Sequence, residues 1–316
     1  MTQILKVTEL CVDFLYRGEV VNSPLRGINL EIAAGETLGV VGETGCGKTL
    51  TATAIIGLLP SSAVQRGKIE FADHGVLDQV EMGNIRGSDI AMIFQNPQSA
   101  FNPIFTIGSQ MKIVAQRRNI NRSDIASAIT ERLTAVGLTD IPRVLNSYPH
   151  QLSGGMLQRC MIAMAMISSP KLLIADEPTT ALDATIGDQV LELMCELQDQ
   201  NGFAILFISH DVTAVAKVSD NISVIYAGRV VESGPSQSVV DSPQHPYTKG
   251  LLGAIPNASK ARGTLVAIPG SVPARSQEIV GCSFAPRCSA RMDICSKEPP
   301  IVLVGRQKVA CWAVQP

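Results

Sequence analysis

Gly42-Glu43-Thr44-Gly45-Cys46-Gly47-Lys48-Thr49 is the stretch that decides the reading of this chain. The octet fits G-x-x-x-x-G-K-[ST], and its surroundings supply the context that this pattern needs. Thr37–Val41 before it is a short apolar run of strand type, and Leu50–Leu59 after it reads as a helix. Glycines let backbone N–H groups turn inward around phosphate oxygens, and the following helix aims its positive N-terminal end at the same anion. Lys48 then reaches the β- and γ-phosphates of a nucleotide, and the Thr49 hydroxyl takes Mg²⁺. The alternative, an ordinary Gly-rich turn, would not require the flanking strand and helix. Cys46 sits in the loop as a small residue that fits there.

Outward from the octet, strands and helices alternate. Ile28, Leu30 and Ile32 alternate with polar neighbours, and Ala34-Gly35-Glu36 is a turn. Gly67–Phe71, Ile90–Phe94, Leu172–Ala175 and Phe203–Ile208 read as strands. Asn221–Tyr226 and Arg229–Glu232 read as a hairpin about Ala227-Gly228. Residues 106–150 change character: Ser123 is placed to cap a helix that carries Ile125, Ile129, Leu133 and Val136 on one face and closes at Gly137. Ser153 opens a second helical run, rich in Met and Ala, that ends before Pro170. Val190, Leu191, Met194 and Leu197 stripe a further helix that Asn201-Gly202 ends. The alternation predicts a mostly parallel sheet with helices on its faces. After Gly234 prolines accumulate and periodicity weakens, which places a domain boundary near residue 235.

Composition narrows the function classes. The 316 residues carry 26 Lys+Arg against 28 Asp+Glu, and aromatics are 4%. A strongly basic nucleic-acid binder with stacking surfaces is disfavoured. No apolar stretch reaches the roughly 18–20 residues needed to span a bilayer. The opening residues contain Glu9 and Asp13 and lack a secretory layout. The expectation is a soluble, cytosolic chain that meets a membrane only through a partner.

Leu172-Leu173-Ile174-Ala175-Asp176-Glu177 complements the octet. An apolar strand ending in two acids puts Asp176 where it can hold Mg²⁺, and Glu177 where it can orient and deprotonate an attacking water. Alone, such a pair is more often a solvated strand end; beside a phosphate loop it reads as catalytic.

Leu152-Ser153-Gly154-Gly155-Met156 makes the reading specific. It resembles the signature of ATP-binding cassette (ABC) ATPases, at a helix start just ahead of the Asp-Glu strand. A Ser hydroxyl, two Gly N–H groups and a helix N-terminus form another anion site. The resemblance implies that Ser153, Gly154 and Gly155 act in trans on the γ-phosphate of ATP held by a partner subunit. Met156 departs from the Gln that the family usually places there. The resemblance also implies that Gln95 contacts Mg²⁺ and water, that Ala181-Leu182-Asp183 crosses the dimer interface, and that His210 contacts the γ-phosphate. Phe14, or else Tyr16, would stack on adenine. The implied fold is an α/β, RecA-like P-loop ATPase core with an antiparallel β portion and a helical insertion. A small irregular C-terminal domain would follow. The boundaries read as 1–235 for the nucleotide-binding domain, with the insertion about 100–165, and 236–316 for the C-terminal domain.

The tail is similar to the D-type ATPase subunits of dipeptide, oligopeptide and nickel importers, in His245-Pro246-Tyr247-Thr248, Ile268-Pro269-Gly270 and a cysteine group. Gln95-Asn96-Pro97 through Asn102-Pro103, and Gly155 through Arg159, look more like the nickel-type subunits. The implied role is ATP hydrolysis powering import of di- or oligopeptides, with nickel or a metal chelate as the alternative and a soluble ABC ATPase of DNA repair or translation as a more distant one. Implied partners are two transmembrane permease subunits, a second ATPase subunit and an extracytoplasmic binding protein, at the cytoplasmic face of the membrane. No nucleic acid is expected.

Cys282, Cys288, Cys295 and Cys311 crowd into 30 residues with spacings x5, x6 and x15. In a cytosolic chain this favours a metal or cluster over disulfides. No short C-x2–4-C pair of zinc type occurs, and four thiolates from irregular loops suit [4Fe–4S]. Zinc, and unliganded or disulfide-bonded thiols, stay open as alternatives. The resembling subunits can carry such a cluster, usually with a His where this chain has Gln307.

Overall fold

A computed structural model of the chain describes residues 2–118, 120–254, 268–273 and 279–314. Pro256, one of the prolines behind the proposed domain change, lies outside the described residues. In chain order the elements begin with β1 (Gln3–Tyr16), β2 (Glu19–Ala33), β3 (Thr37–Val41), α1 (Lys48–Ile55), β4 (Ala63–Phe71), β5 (Gly75–Val76) and α2 (Gln79–Ile85). There follow β6 (Ile90–Ile93), α3 (Pro97–Ala100), α4 (Ile107–Arg117), α5 (Ile125–Ala135), α6 (Ile141–Asn146), α7 (Gly154–Met166) and β7 (Leu172–Asp176). Then come α8 (Ala184–Asn201), β8 (Ala204–Ser209), α9 (Val212–Val218), β9 (Asn221–Tyr226) and β10 (Arg229–Pro235). Last are α10 (Ser236–Asp241), α11 (Pro246–Gly253), β11 (Ile301–Val304) and β12 (Gln307–Ala310).

The chain divides into two compact units. One comprises Met1–Ile4, Ala33–Glu36 and Asp78–Phe207, and the other Leu5–Ile32, Thr37–Leu77 and Ile208–Pro316.

In the first unit β6 and β7 run parallel, with Ile90 opposite Leu172 and Ile93 opposite Ala175. β7 is buried at every position. Its unbroken apolar run is what a parallel strand covered on both faces requires. Helix α7 packs against α3, α4 and α5. Its Ser153 cap forms as expected, the hydroxyl accepting from Met156 N–H at 3.3 Å. The cap expected at Ser123 does not form. Asp124 takes the N-cap position of α5 and Ser123 Oγ donates to its carboxylate instead. Asp–Ser side-chain pairing satisfies the hydroxyl locally and removes it from the helix. Helix α8 ends where expected, with Gly202 at φ 71° in the left-handed region that glycine tolerates.

The second unit holds a sheet of order β2-β1-β4-β5, in which β1–β4 and β4–β5 are antiparallel. It also holds β3 parallel to β9, with Leu38 opposite Asn221. The expected hairpin between β9 and β10 forms. Its Gly228 lies at φ 79°, and a Cβ there would stand 2.2 Å from Pro24 O, so only glycine fits. Helix α1 starts inside the octet, at Lys48, and stops at Ile55, earlier than the expected Leu59; Gly57 at φ 65° ends it. The stretch after Gly234, read as irregular, contains α10, α11 and the β11–β12 hairpin, which joins β10 through Glu232 opposite Val309. This hairpin escapes periodicity because its strands have four residues each and Ile301 and Leu303 remain 65% and 60% exposed.

Candidate functional site

In the second unit the octet wraps onto the start of α1. Gly42 cannot be larger: a Cβ would stand 2.2 Å from Ile225 O and 2.7 Å from Cys46 Sγ. Gly45 and Gly47 sit at φ 85° and 113°. Gly47 is the N-cap of α1 and offers no side chain to the first N–H groups, which leaves them oriented for an anion. Lys48 is 5% exposed, and its ammonium donates to Gly42 O at 2.7 Å and to Glu43 O at 3.3 Å. Cys46 is buried, its carbonyl accepts from Gly228 N–H at 2.9 Å, and burial pushes its thiol pKa up. It therefore stays a neutral packing residue. Thr44, Gly45 and Thr49 lie towards the exposed side of the loop, and Glu43 and Gly47 are half-buried. His210 is exposed, one residue after β8 and one before Asp211, the N-cap of α9. Phe14 is half-buried on β1, whereas Tyr16 is 63% exposed at its end.

In the first unit β7 delivers its two acids as expected. Asp176 is 2% and Glu177 8% exposed. Glu177 adopts φ 48°, a strained conformation for a residue with a side chain, of a kind that clusters at active sites. Gln95 Nε2 donates to Glu177 Oε2 at 2.8 Å, and Thr180 Oγ1 donates to the same oxygen at 2.9 Å. The structure thus brings together two residues that are 82 apart in sequence, Gln95 and Glu177. It adds Thr180, which sequence reasoning missed although it lies three residues after the acid. Ser153 and Gly154 are exposed and Gly155 is half-buried. They form their own turn, which faces Leu182 and Ile186: a Cβ on Gly154 would lie 3.6 Å from Leu182 Cδ2, and one on Gly155 2.9 Å from Ile186 Cγ2. Ser153 bonds Met156 and not Gln95 or Glu177.

The four tail cysteines lie in the second unit and line one cavity with His245, Phe284 and Trp312. The loops close because Cys282 N–H donates to Cys295 O at 2.9 Å, and Trp312 Nε1 to Lys297 O at 3.1 Å. All four thiols are free. Burial raises the pKa values of Cys282, Cys288 and Cys311. Among the described residues no three His, Cys, Asp or Glu side chains are grouped to hold a metal ion. Gln307, which stands where the resemblance expects His, is 4% exposed and donates to Ser242 O at 3.2 Å and Glu232 Oε1 at 3.4 Å. His245 is 1% exposed, and burial lowers its pKa to about 4, so it is neutral. Its Nδ1 accepts from Tyr247 N–H at 3.0 Å and so caps α11, with Pro246 at the first helical position.

A phosphate loop at a strand–helix junction, a buried strand ending in an Asp-Glu pair and an exposed Ser-Gly-Gly helix start define an ABC-type ATPase. The ABC transporter family profile matches residues 25–180, and that of the oligopeptide/dipeptide transporter C-terminal region matches residues 231–295. The chain is 41% identical to a probable peptide ABC transporter ATP-binding protein of Sinorhizobium fredii, over 98% of this chain and 94% of that one. It is 41% identical to the dipeptide transport ATP-binding protein DppD of Bacillus subtilis, over 99% and 95%. It is 40% identical to the oligopeptide transport ATP-binding protein OppD of Escherichia coli, over 94% and 89%. Among solved structures it resembles cbiO1 of Clostridium perfringens, part of the ABC transporter complex cbiONQ. That match has TM-score 0.65 and 28% identity over 77% of this chain and 92% of that one. It also resembles a dimeric post-hydrolysis ATP-binding cassette bound to ADP and Pi, with TM-score 0.64 and 25% identity over 74% and 99%. The chain belongs to the ATP-binding subunits of ABC transporters, in the branch that carries the oligopeptide/dipeptide C-terminal region. It is an ATPase that uses ATP and Mg²⁺. Among the described residues no helix is long and apolar enough to cross a membrane.

Proposed function

We propose that this chain hydrolyses MgATP at the cytoplasmic face of a membrane to power the import of di- or oligopeptides. The observation that carries this reading is one chain holding both the ATPase motifs and the tail of peptide-transporter subunits, matched over 99% and 94% of its length by relatives named for dipeptide and oligopeptide transport. Residues 1–235 serve as the nucleotide-binding domain, with an insertion at about 100–165, and 236–316 as the C-terminal domain. Gly42 to Thr49 hold the phosphates, with Lys48 as the fixed cation. Phe14 stacks on adenine. Thr49, Gln95 and Asp176 hold Mg²⁺, Glu177 orients and deprotonates the attacking water, and His210 contacts the γ-phosphate. Ser153 and Gly154, exposed at the start of α7, and the half-buried Gly155 complete the site of a second ATPase subunit. Ile104 and Phe105, 72% and 46% exposed in the inserted region, offer an apolar contact to a permease subunit.

The decisive test is reconstitution with the two permease subunits and the extracytoplasmic binding protein in vesicles. ATP-dependent uptake of labelled di- or oligopeptides is expected. Uptake of nickel or a nickel chelate, without peptide, would overturn the substrate class and leave the ATPase role intact.

The cysteine cavity is the place for a [4Fe–4S] cluster in this reading. Support comes from four free thiols that line one otherwise largely apolar cavity. Among the described residues the thiols are not drawn into a group that could hold a metal ion, which counts against zinc and cluster alike and leaves metal analysis to decide. Cys282, Cys288, Cys295 and Cys311 would hold the cluster, which would cross-link the loops of the tail. Protein purified without oxygen is expected to contain about four irons per chain and a broad absorption near about 400 nm. Cys288→Ser and Cys311→Ser should each lower the iron content. A colourless protein with one zinc, or with no metal, would reduce the tail to a structural appendage.

A further inference from the structure

Glu43 is the second residue of the phosphate loop, and two side chains from the tail hold it. Arg287 meets its carboxylate in a fork, Nη1 to Oε2 at 2.7 Å and Nη2 to Oε1 at 3.0 Å. The Tyr247 hydroxyl accepts from the Glu43 backbone N–H at 2.9 Å. Neither holder is a loose surface group. The Arg287 side chain is 6% exposed, and its Nε donates to Pro269 O at 2.8 Å. Its guanidinium lies 5.8 Å from the Tyr226 ring centre. The hydrogen bonds to Glu43 are the main reason its pKa is raised. Tyr247 is fully buried, its ring centre 4.6 Å from that of Tyr226 and 5.4 Å from that of Phe284.

The chemistry gives this arrangement a purpose. A loop with glycines at 42, 45 and 47 is conformationally permissive, and ordering it costs entropy when a ligand binds. Anchoring the one long side chain near its start reduces that cost. Glu43 is also an anion placed in a loop read as an anion site, where an uncompensated carboxylate would repel phosphate. Arg287 neutralises it through a bidentate pair. The clamp and the cysteine cavity share a segment: Cys288 follows Arg287, and Phe284 lines the cavity while packing on Tyr247.

We propose that Arg287 and Tyr247 are positioning residues for the phosphate loop, through which the C-terminal segment sets the affinity for MgATP. This rests on the reading of residues 42–49 as the ATP phosphate loop. The test measures KM and kcat for MgATP hydrolysis, and equilibrium binding of a fluorescent ATP analogue, on the full chain. Arg287→Gln is expected to raise KM and the analogue's Kd about 10-fold, with kcat at saturating ATP changing by less than about twofold. Adding Glu43→Gln removes the unpaired charge and is expected to bring KM back to within about threefold of wild type. Tyr247→Phe keeps the packed ring, removes only the hydroxyl and is expected to raise KM about threefold; it decides the matter if Arg287→Gln does not fold. Unchanged KM in both variants would overturn the proposal. So would a loss shared equally by KM and kcat that Glu43→Gln does not restore. Lys48→Ala separates the two layers. If it binds ATP normally, the phosphate-loop reading fails. If it loses binding while Arg287→Gln and Tyr247→Phe do not, only the positioning role fails.

Discussion

Glu177→Gln is expected to lower kcat for MgATP hydrolysis by about 10²–10⁴-fold while leaving ATP affinity within about threefold of wild type. The reasoning begins with geometry. Gln95 and Thr180 both donate to Glu177 Oε2, and an amide at this position keeps a carbonyl oxygen to accept those bonds. The strained turn at φ 48° is held by the end of β7 and the following residues, which the substitution does not alter. What disappears is the basicity. An amide oxygen cannot take a proton from water near neutral pH, so the chemical step fails while the ground state binds. Single-turnover hydrolysis alongside equilibrium binding reads both quantities. A kcat within about threefold of wild type would remove Glu177 from the role of general base.

The second large effect is expected at Ser153. Ser153→Arg places a long cation at an exposed helix start that the mechanism assigns to the partner's nucleotide. Turnover in the assembled ATPase pair is expected to fall at least about 100-fold, because the γ-phosphate at the opposite site loses a hydroxyl contact and meets a bulky side chain. The variant chain's own ATP affinity should stay within about threefold, since its loop at 42–49 is untouched. The lost cap costs α7 about 1 kcal/mol, visible as a small fall in Tm. Binding and turnover that fall together would count against action in trans.

Much of the fold follows from local pattern. The runs 38–41, 172–175 and 204–208 are apolar without a break, as strands buried throughout require. The hairpin at Ala227-Gly228 and the stop at Gly202 were readable because glycine is the residue that adopts φ near 70–80° without steric cost. Ser123 misled because a short polar side chain can bond its neighbour instead of the helix it precedes, and sequence does not say which. The β11–β12 hairpin stays hidden because the outward residues of β11 are apolar and β12 buries the polar Gln307, so the two-residue alternation that marks a half-buried strand is missing.

The nucleotide motifs were legible for a different reason. Their chemistry uses backbone N–H groups, glycines and a few side-chain types at short spacings, so residues 42–49, 153–155 and 176–177 declare themselves in one dimension. The tail is the opposite case. Sequence alone singled out His245-Pro246-Tyr247 and four cysteines, and it offered no link from them to the phosphate loop. Only the tertiary structure carries Arg287 and Tyr247 across more than 200 residues to Glu43, and only it gathers Cys282, Cys288, Cys295 and Cys311 around one cavity. Such contacts arise where separate elements pack, and the pairing of a particular arginine with a particular glutamate leaves no periodic trace in the chain. The sequence by itself determined the class of enzyme and most of its strands; the fold decided what holds the loop in place.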